Sequence, residues 1–199
     1  NHDFELVAIV ENNLTVQDAA KQLGVPVFSQ LADLKKIQNL DGVYIATPTP
    51  CHAAQSIEAF ASGWHVLVEK PMACNAAEAL RMVTAANQYG KSLTVGHSHS
   101  FDAPIQAMKK IIDSGELGAV QMVNTWCLTD WVYRPRRAEE LDPTLGGGVT
   151  FRQGAHQIDI LRALCGTKVQ TVKAKVFNTD PLRNTIGAHR SEERRVGKE

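Results

Sequence analysis

The sequence predicts an α/β chain whose first half is a doubly wound parallel sheet. Three observations predict it. Between Glu5 and Val95, short apolar runs alternate with segments of helical period. Those runs are apolar at nearly every position, the pattern of parallel strands covered on both faces rather than of half-exposed hairpins. Beyond residue 100 the texture changes to an aromatic and β-branched run, an arginine-rich loop and a glycine breaker, the marks of a second, α+β unit.

Each element follows from local chemistry. Glu5–Val10 is a strand. Leu14–Leu23 is a helix, ended by Gly24 with Pro26 beyond it. Val25–Phe28 is a short strand and Leu31–Gln38 a short helix. Gly42–Ala46 is a strand, stopped by Thr47-Pro48-Thr49-Pro50. His52–Ser62 is a helix stopped at Gly63, and His65–Val68 a strand. Asn75 caps the next helix, with Glu78 completing a capping-box spacing; the helix runs to Tyr89 and stops at Gly90. Ser92–Val95 is a further strand. In the second unit, Pro104–Ser114 is an amphipathic helix, Val120–Leu128 a strand, Phe151–Cys165 a helix and Val169–Phe177 an alternating strand. Two strands and two helices make an incomplete core, so this unit is expected to be partial, its sheet mostly antiparallel. The expected division is 1–98, 99–189 and 190–199. The last stretch has no apolar period and carries Arg190, Glu192, Glu193, Arg194, Arg195, Lys198 and Glu199, and it reads as a non-native tail.

Composition excludes several functions. Of 199 residues, 21 are Lys or Arg and 21 are Asp or Glu, giving zero formal net charge. A nucleic-acid binder shows a basic excess, so no nucleic-acid partner is expected. No apolar run approaches the ~20 residues that span a bilayer, so no membrane partner is expected. Cys51, Cys74, Cys127 and Cys165 form no C-x-x-C pair and no zinc or disulfide framework. They read as reduced thiols of a cytoplasmic protein, with no metal site.

In a doubly wound sheet, ligands sit at the carboxyl ends of the strands. A dinucleotide-binding sheet opens on a strand, a G-x-G-x-x-G turn and a helix, and no such turn occurs in this chain. Yet Glu11 follows the first strand, where the second strand of such a fold holds the adenosine ribose hydroxyls. The sequence therefore reads as entering a Rossmann-type doubly wound parallel sheet lacking its first strand, with about 30 residues, one βαβ unit, expected upstream.

Three constellations carry chemistry. Glu69-Lys70-Pro71 directly follows the strand Val66-Leu67-Val68. Burial lowers a lysine's pKa and lets it exchange protons near neutrality, while a surface lysine passing a strand end is the alternative. In the helix after Gly146-Gly147-Gly148, Arg152, His156 and Asp159 fall within an arc of roughly 60° at about 100° per residue. A cation, an imidazole and a carboxylate on one face suit acid–base chemistry on a polar substrate, and an ion-paired solvent face is the alternative. Arg134, Arg136 and Arg137 cluster in a loop after Trp126, Trp131 and Tyr133. Arginine matches carboxylates bidentately, which points to an anionic substrate, unless the loop is simply solvated.

Together, Ala46-Thr-Pro-Thr-Pro-Cys-His52, Gly63-Trp-His-Val-Leu-Val-Glu-Lys-Pro71, Asp113-Ser-Gly-Glu-Leu-Gly118 and Gly146-Gly-Gly through His156-Gln-Ile-Asp159 resemble the glucose–fructose oxidoreductase/inositol dehydrogenase/MocA family over residues 4–178. The resemblance implies a Rossmann domain, a second domain on a large, mostly antiparallel sheet, and NAD or NADP between them. It implies that Lys70 lies beside the nicotinamide as a catalytic residue, with His156 and Asp159 reaching in from the second domain. It implies that Thr47, Pro48, His52, Glu69, Lys70 and Pro71 contact the cofactor, with Glu11 favouring NAD because a carboxylate repels a 2′-phosphate. It also implies a homo-oligomer paired through the open sheet face. Many members carry an acidic residue where this sequence has Arg152. That departure, with the arginine loop, makes the chain look most like phthalate cis-dihydrodiol dehydrogenases. Arg152 with Arg134, Arg136 or Arg137 would then bind the carboxylates of a cyclohexadiene diol. The expected function is hydride transfer between a hydroxyl-bearing carbon of a small cyclic substrate and nicotinamide. The alternatives are a sugar or cyclitol dehydrogenase, a non-catalytic dinucleotide-binding protein, and a fragment that is inert by itself.

Overall fold

The computed structural model describes residues 4–128, 135–166, 168–177 and 193–195. The first half is the expected alternation of strands and helices, with the parallel sheet in two pieces. β1 (Ile9–Val10) pairs in parallel with β2 (Val27–Phe28), through Ile9 donating to Pro26 and Glu11 to Phe28. β3 (Gly42–Ile45), β4 (His65–Val68) and β5 (Leu93–Val95) form a three-stranded parallel sheet in that order. Among the described residues, no strand hydrogen-bonds the β1–β2 pair to the β3–β4–β5 sheet. The residues Glu5–Ala8, expected to extend β1, carry no ladder.

The helices between the strands obey local signals. α1 (Leu14–Lys21) is capped by Asn13, whose Oδ1 accepts the Thr15 amide at 3.0 Å. A 3₁₀ turn over Leu31–Lys36 precedes β3. α2 (Thr49–Ala61) starts three residues before the expected His52. Pro48 and Pro50 do not delay it, because the first turn of a helix leaves its N–H groups unpaired anyway. α3 (Ala76–Tyr89) is capped by Asn75, whose Oδ1 accepts the Glu78 amide at 2.9 Å. The Glu78 carboxylate returns to the Cys74 amide rather than to that of Asn75, one residue beyond the capping-box partner.

The core lies between α2, α3 and one face of the sheet. Phe60 and Ala59 of α2, Met82 of α3 and Val68 of β4 are fully buried there. Burying such side chains contributes roughly 1.5–3 kcal/mol each. The sequence suggested helices on both faces. Instead β4 alternates, with Val66 and Val68 inward, while Leu67 is 40% and Tyr44 58% exposed. A run that is apolar throughout carries no period-2 signal about which face is covered.

In the second half, α4 (Ala103–Ser114) and α6 (Ala155–Cys165) pack on the end of the sheet with the loop after β5. A single turn, α5 (Ala138–Leu141), lies between them in the chain. Among the described residues the expected mostly antiparallel sheet is not seen. Val120–Leu128 is mainly exposed and unpaired, and Val169–Phe177 contributes only β6 (Lys175–Phe177). β6 pairs antiparallel with β7 (Glu193–Arg195), a ribbon of two strands. Extended residues become a sheet only where a partner strand is within hydrogen-bond reach. No helix among the described residues is long and apolar enough to cross a membrane.

Candidate active site

A cavity of about 190 Å³ opens at the carboxyl ends of β3 and β4. Thr47, Pro48, Thr49, Glu69 and Lys70 line it from the first half, and Arg137, Leu145 and Arg152 from the second. The two halves meet closely because of glycines. A Cβ on Gly146 (φ +74°) would stand 3.0 Å from the Thr49 methyl and 3.5 Å from the Cys74 Cα. One on Gly147 would stand 2.7 Å from the backbone N and O of Asp142 and from the Glu140 carbonyl carbon.

The strand-end loops are braced from behind. His52 is buried, and its ring nitrogens lie 3.0 Å from the Pro71 carbonyl oxygen and 2.8 Å from that of Thr47. It therefore ties the loop after β3 to the loop after β4. Thr47 Oγ1 hydrogen-bonds Gln55 Oε1 at 2.6 Å. The Lys70–Pro71 peptide is cis. Glu69 accepts the Tyr44 hydroxyl at 2.6 Å on Oε1 and the Lys70 amide at 3.0 Å on Oε2. The bond to Glu69, burial and the carboxylate charge push the Tyr44 phenol up to about 12. Glu11, at the end of β1, accepts the Asn13 amide at 2.7 Å.

Lys70 donates from Nζ to the Arg152 carbonyl at 3.2 Å. Burial lowers its pKa, the Arg152 guanidinium adds to the fall, Glu69 resists, Arg136 adds, and Glu140 resists. His156 is buried, and among the described residues its Nδ1 has no hydrogen-bond partner. Its pKa is depressed to about 4, first by burial, then by the charges of Lys70, His99 and His97; Asp159 opposes them. His99 packs edge-on to His156 with ring centroids 4.3 Å apart, and His97 does so at 6.0 Å. His99 in turn pairs with Asp102 at 2.9 Å.

The arginines converge on a carboxylate. Arg152 Nη2 lies 3.2 Å from Glu140 Oε1, Arg136 Nη1 3.9 Å from the same oxygen, and Arg137 Nε 3.6 Å from Oε2. The Arg137 amide donates to Oε2 at 3.0 Å. Burial opposes the Glu140 charge, but that amide and the three guanidiniums outweigh it and hold its pKa below the usual carboxylate value.

The structure thus brings Lys70 within electrostatic reach of Arg152, Arg136 and His156, and Asp159 within reach of His156, while Lys70, Arg137 and Arg152 share the cavity wall and His156 and Asp159 do not line it. Arg134 lies outside the described residues. One expectation is corrected. Arg152, His156 and Asp159 do not share one regular helical face, because Thr150–Gly154 is a π-helical turn before α6. Its wider winding breaks the even spacing assumed for the arc, and Arg152 turns toward Glu140 while His156 meets His97 and His99. Tyr44 and Glu140 were not singled out in the sequence, whereas His97 and His99 stand in the loop Gly96–His99 that follows a strand. Glu140 carries a signal of its own, four residues after Arg136 and three after Arg137. Among the described residues, no group of three or more His, Cys, Asp or Glu is arranged to hold a metal ion.

Fold and cavity define a class. Residues 1–97 match the oxidoreductase family with an NAD-binding Rossmann fold. Residues 105–192 match the C-terminal domain of the same group, and the chain belongs to the GFO/IDH/MocA oxidoreductase family. A 1-carboxy-3-chloro-3,4-dihydroxycyclohexa-1,5-diene dehydrogenase of Comamonas testosteroni is 45% identical over 163 residues, covering 82% of this chain and 41% of that one. A candidate dehydrogenase of Bordetella bronchiseptica RB50 superposes with a TM-score of 0.85 at 38% identity, over 90% of this chain and 47% of that one. The WlbA dehydrogenase of Bordetella pertussis, solved with NADH and UDP-GlcNAcA, superposes with a TM-score of 0.76 at 31% identity, over 88% and 56%. The chain spans about half the length of these relatives or less.

Proposed function

We propose that this protein is an NAD(P)-dependent dehydrogenase acting on a carboxylated cyclic diol. The observation that carries the reading is one cavity holding both Lys70, its pKa lowered, and the guanidinium-bearing Arg137 and Arg152. A proton acceptor beside a carboxylate binder is what oxidation of a carboxylated alcohol needs. The 45% identity to a dehydrogenase of a carboxylated cyclohexadiene diol supports the same substrate class.

The residues fit a nicotinamide dinucleotide. The cavity lies at strand carboxyl ends, where open α/β sheets bind ligands. Its walls include Pro48 and Pro50, which present no N–H to be left unpaired against a flat ring. Thr47, Pro48, Glu69 and Pro71 would hold the nicotinamide end, and Glu11 the adenosine ribose, with NAD favoured over NADP. When bound, the cofactor supplies a two-electron hydride acceptor. His52 fixes both loops behind it.

Lys70 takes the substrate hydroxyl proton. Burial and the neighbouring guanidiniums lower its pKa, which eases loss of its proton and suits it to act as a general base. His156, depressed to about 4, is neutral at pH 7 and too weak a base to compete. It orients the hydroxyl by hydrogen bonding, with the Asp159 charge opposing the fall in its pKa. Arg152 and Arg137 bind the carboxylate.

The test is turnover by the intact protein of a carboxylated cis-dihydrodiol against myo-inositol, with NAD. The reading expects the diol to be oxidised well and myo-inositol poorly, and Lys70→Met to lower turnover about 100-fold or more. Near-normal turnover by Lys70→Met would refute the role of Lys70. Preference for myo-inositol would move the protein to the cyclitol dehydrogenases, a reading favoured by its 33% identity to an inositol 2-dehydrogenase of Streptomyces avermitilis.

A further inference from the structure

The arginine cluster is already engaged by a carboxylate. Glu140 stands in the single turn α5, its side chain 14% exposed, against Arg152 (19%) and Arg136 (18%). Arg152 and Arg137 serve two masters: each contacts Glu140, and each lines the cavity beside Lys70. An external carboxylate entering that cavity must therefore share its donors with Glu140 or take them over. Two carboxylates against the same donors repel each other.

The geometry favours takeover. Only one guanidinium contact to Glu140, that of Arg152 at 3.2 Å, is within hydrogen-bond distance; those at 3.6 and 3.9 Å are long. A small carboxylate free to orient in the cavity can meet a guanidinium through two parallel N–H···O bonds, the stronger arrangement.

We propose that Glu140 is a specificity-determining residue, an internal carboxylate that occupies Arg152 and Arg137 in the ligand-free protein and yields them to the carboxylate of the ligand. Glu140 thereby sets the affinity for carboxylated ligands without affecting neutral ones, which have no use for the arginines. This rests on the carboxylated-diol reading above.

The test is calorimetric titration of the intact protein, Glu140→Gln and Glu140→Asp with phthalate, which carries the carboxylates but no diol and cannot turn over. Glu140→Gln is expected to bind phthalate roughly tenfold more tightly, and Glu140→Asp, which keeps the charge, to stay near the unmodified protein. Weaker or equal binding by Glu140→Gln, with phthalate still bound by the unmodified protein, overturns the inference and leaves the substrate reading standing. No phthalate binding by any of the three overturns both. A crystal structure of the unmodified protein with phthalate is independent of how the variants fold. Arg152 on the ligand, with Glu140 moved beyond hydrogen-bond distance, is the expected result; Glu140 still on Arg152 beside bound phthalate overturns the proposal.

Discussion

Replacing His156 with Gln removes one buried imidazole and leaves a polar side chain that does not titrate. In the fold, burial and the charges of Lys70, His99 and His97 depress His156 from the ordinary 6.5 to about 4, with Asp159 alone resisting. The folded protein therefore resists a proton that the unfolded chain accepts. Above pH 6.5 both states are neutral at this position and the effect is nil. As pH falls from 6.5 to 4, the unfolded chain takes up the proton first, and stability drops by up to ~1.4 kcal/mol per pH unit. Below about pH 4 the full loss is reached, about 3 kcal/mol at most, since His99 is half exposed and its contribution is screened. Other acid-sensitive groups titrate alike in both proteins and cancel in the comparison. The assay is urea unfolding followed by circular dichroism at pH 7, 5.5 and 4. The quantity read at each pH is the difference in stability between the unmodified protein and His156→Gln. That difference should move by about 3 kcal/mol in favour of the variant between pH 7 and pH 4. Parallel pH profiles for the two proteins would show that His156 is not held neutral by the fold, and the reason for excluding it as the base would go with it.

Two further predictions come from contacts elsewhere at the site. The Tyr44 phenol should titrate near 12, and Glu69→Gln should return it toward its ordinary 10.0, followed by absorbance at 295 nm; a midpoint unmoved by the substitution would break the link between the two side chains. Gly147→Ala should cost about 1–3 kcal/mol in urea unfolding, because its Cβ would meet backbone atoms of Asp142 and Glu140 at 2.7 Å; a loss under ~0.5 kcal/mol would mean the chain relaxes there freely.

Much of the fold and part of the site were legible in the sequence. The helix stop at Gly90 and the Asn75 cap were readable because capping is settled within a turn. The loops at the ends of β3 and β4 were readable as ligand-facing because apolar strands in alternation with helices define which strand ends are open. The start of α2 was misplaced because prolines read as breakers, although they fit the first helical turn. The one-sided cover of β4 was hidden by a run with no polar alternation.

Lys70, Arg152, His156 and the arginine loop were determined by the sequence alone, because residue type and position at a strand end or helix are local facts. How each group's pKa is shifted was decided only by tertiary structure. Burial and neighbouring charge bring Lys70 down and put His156 near 4, and both depend on what packs around them from distant parts of the chain. The arginines divide in the same way. Glu140 follows Arg136 and Arg137 at i+4 and i+3, so those pairs are local, and only the packed chain brings Arg152 from the turn before α6 onto the same carboxylate.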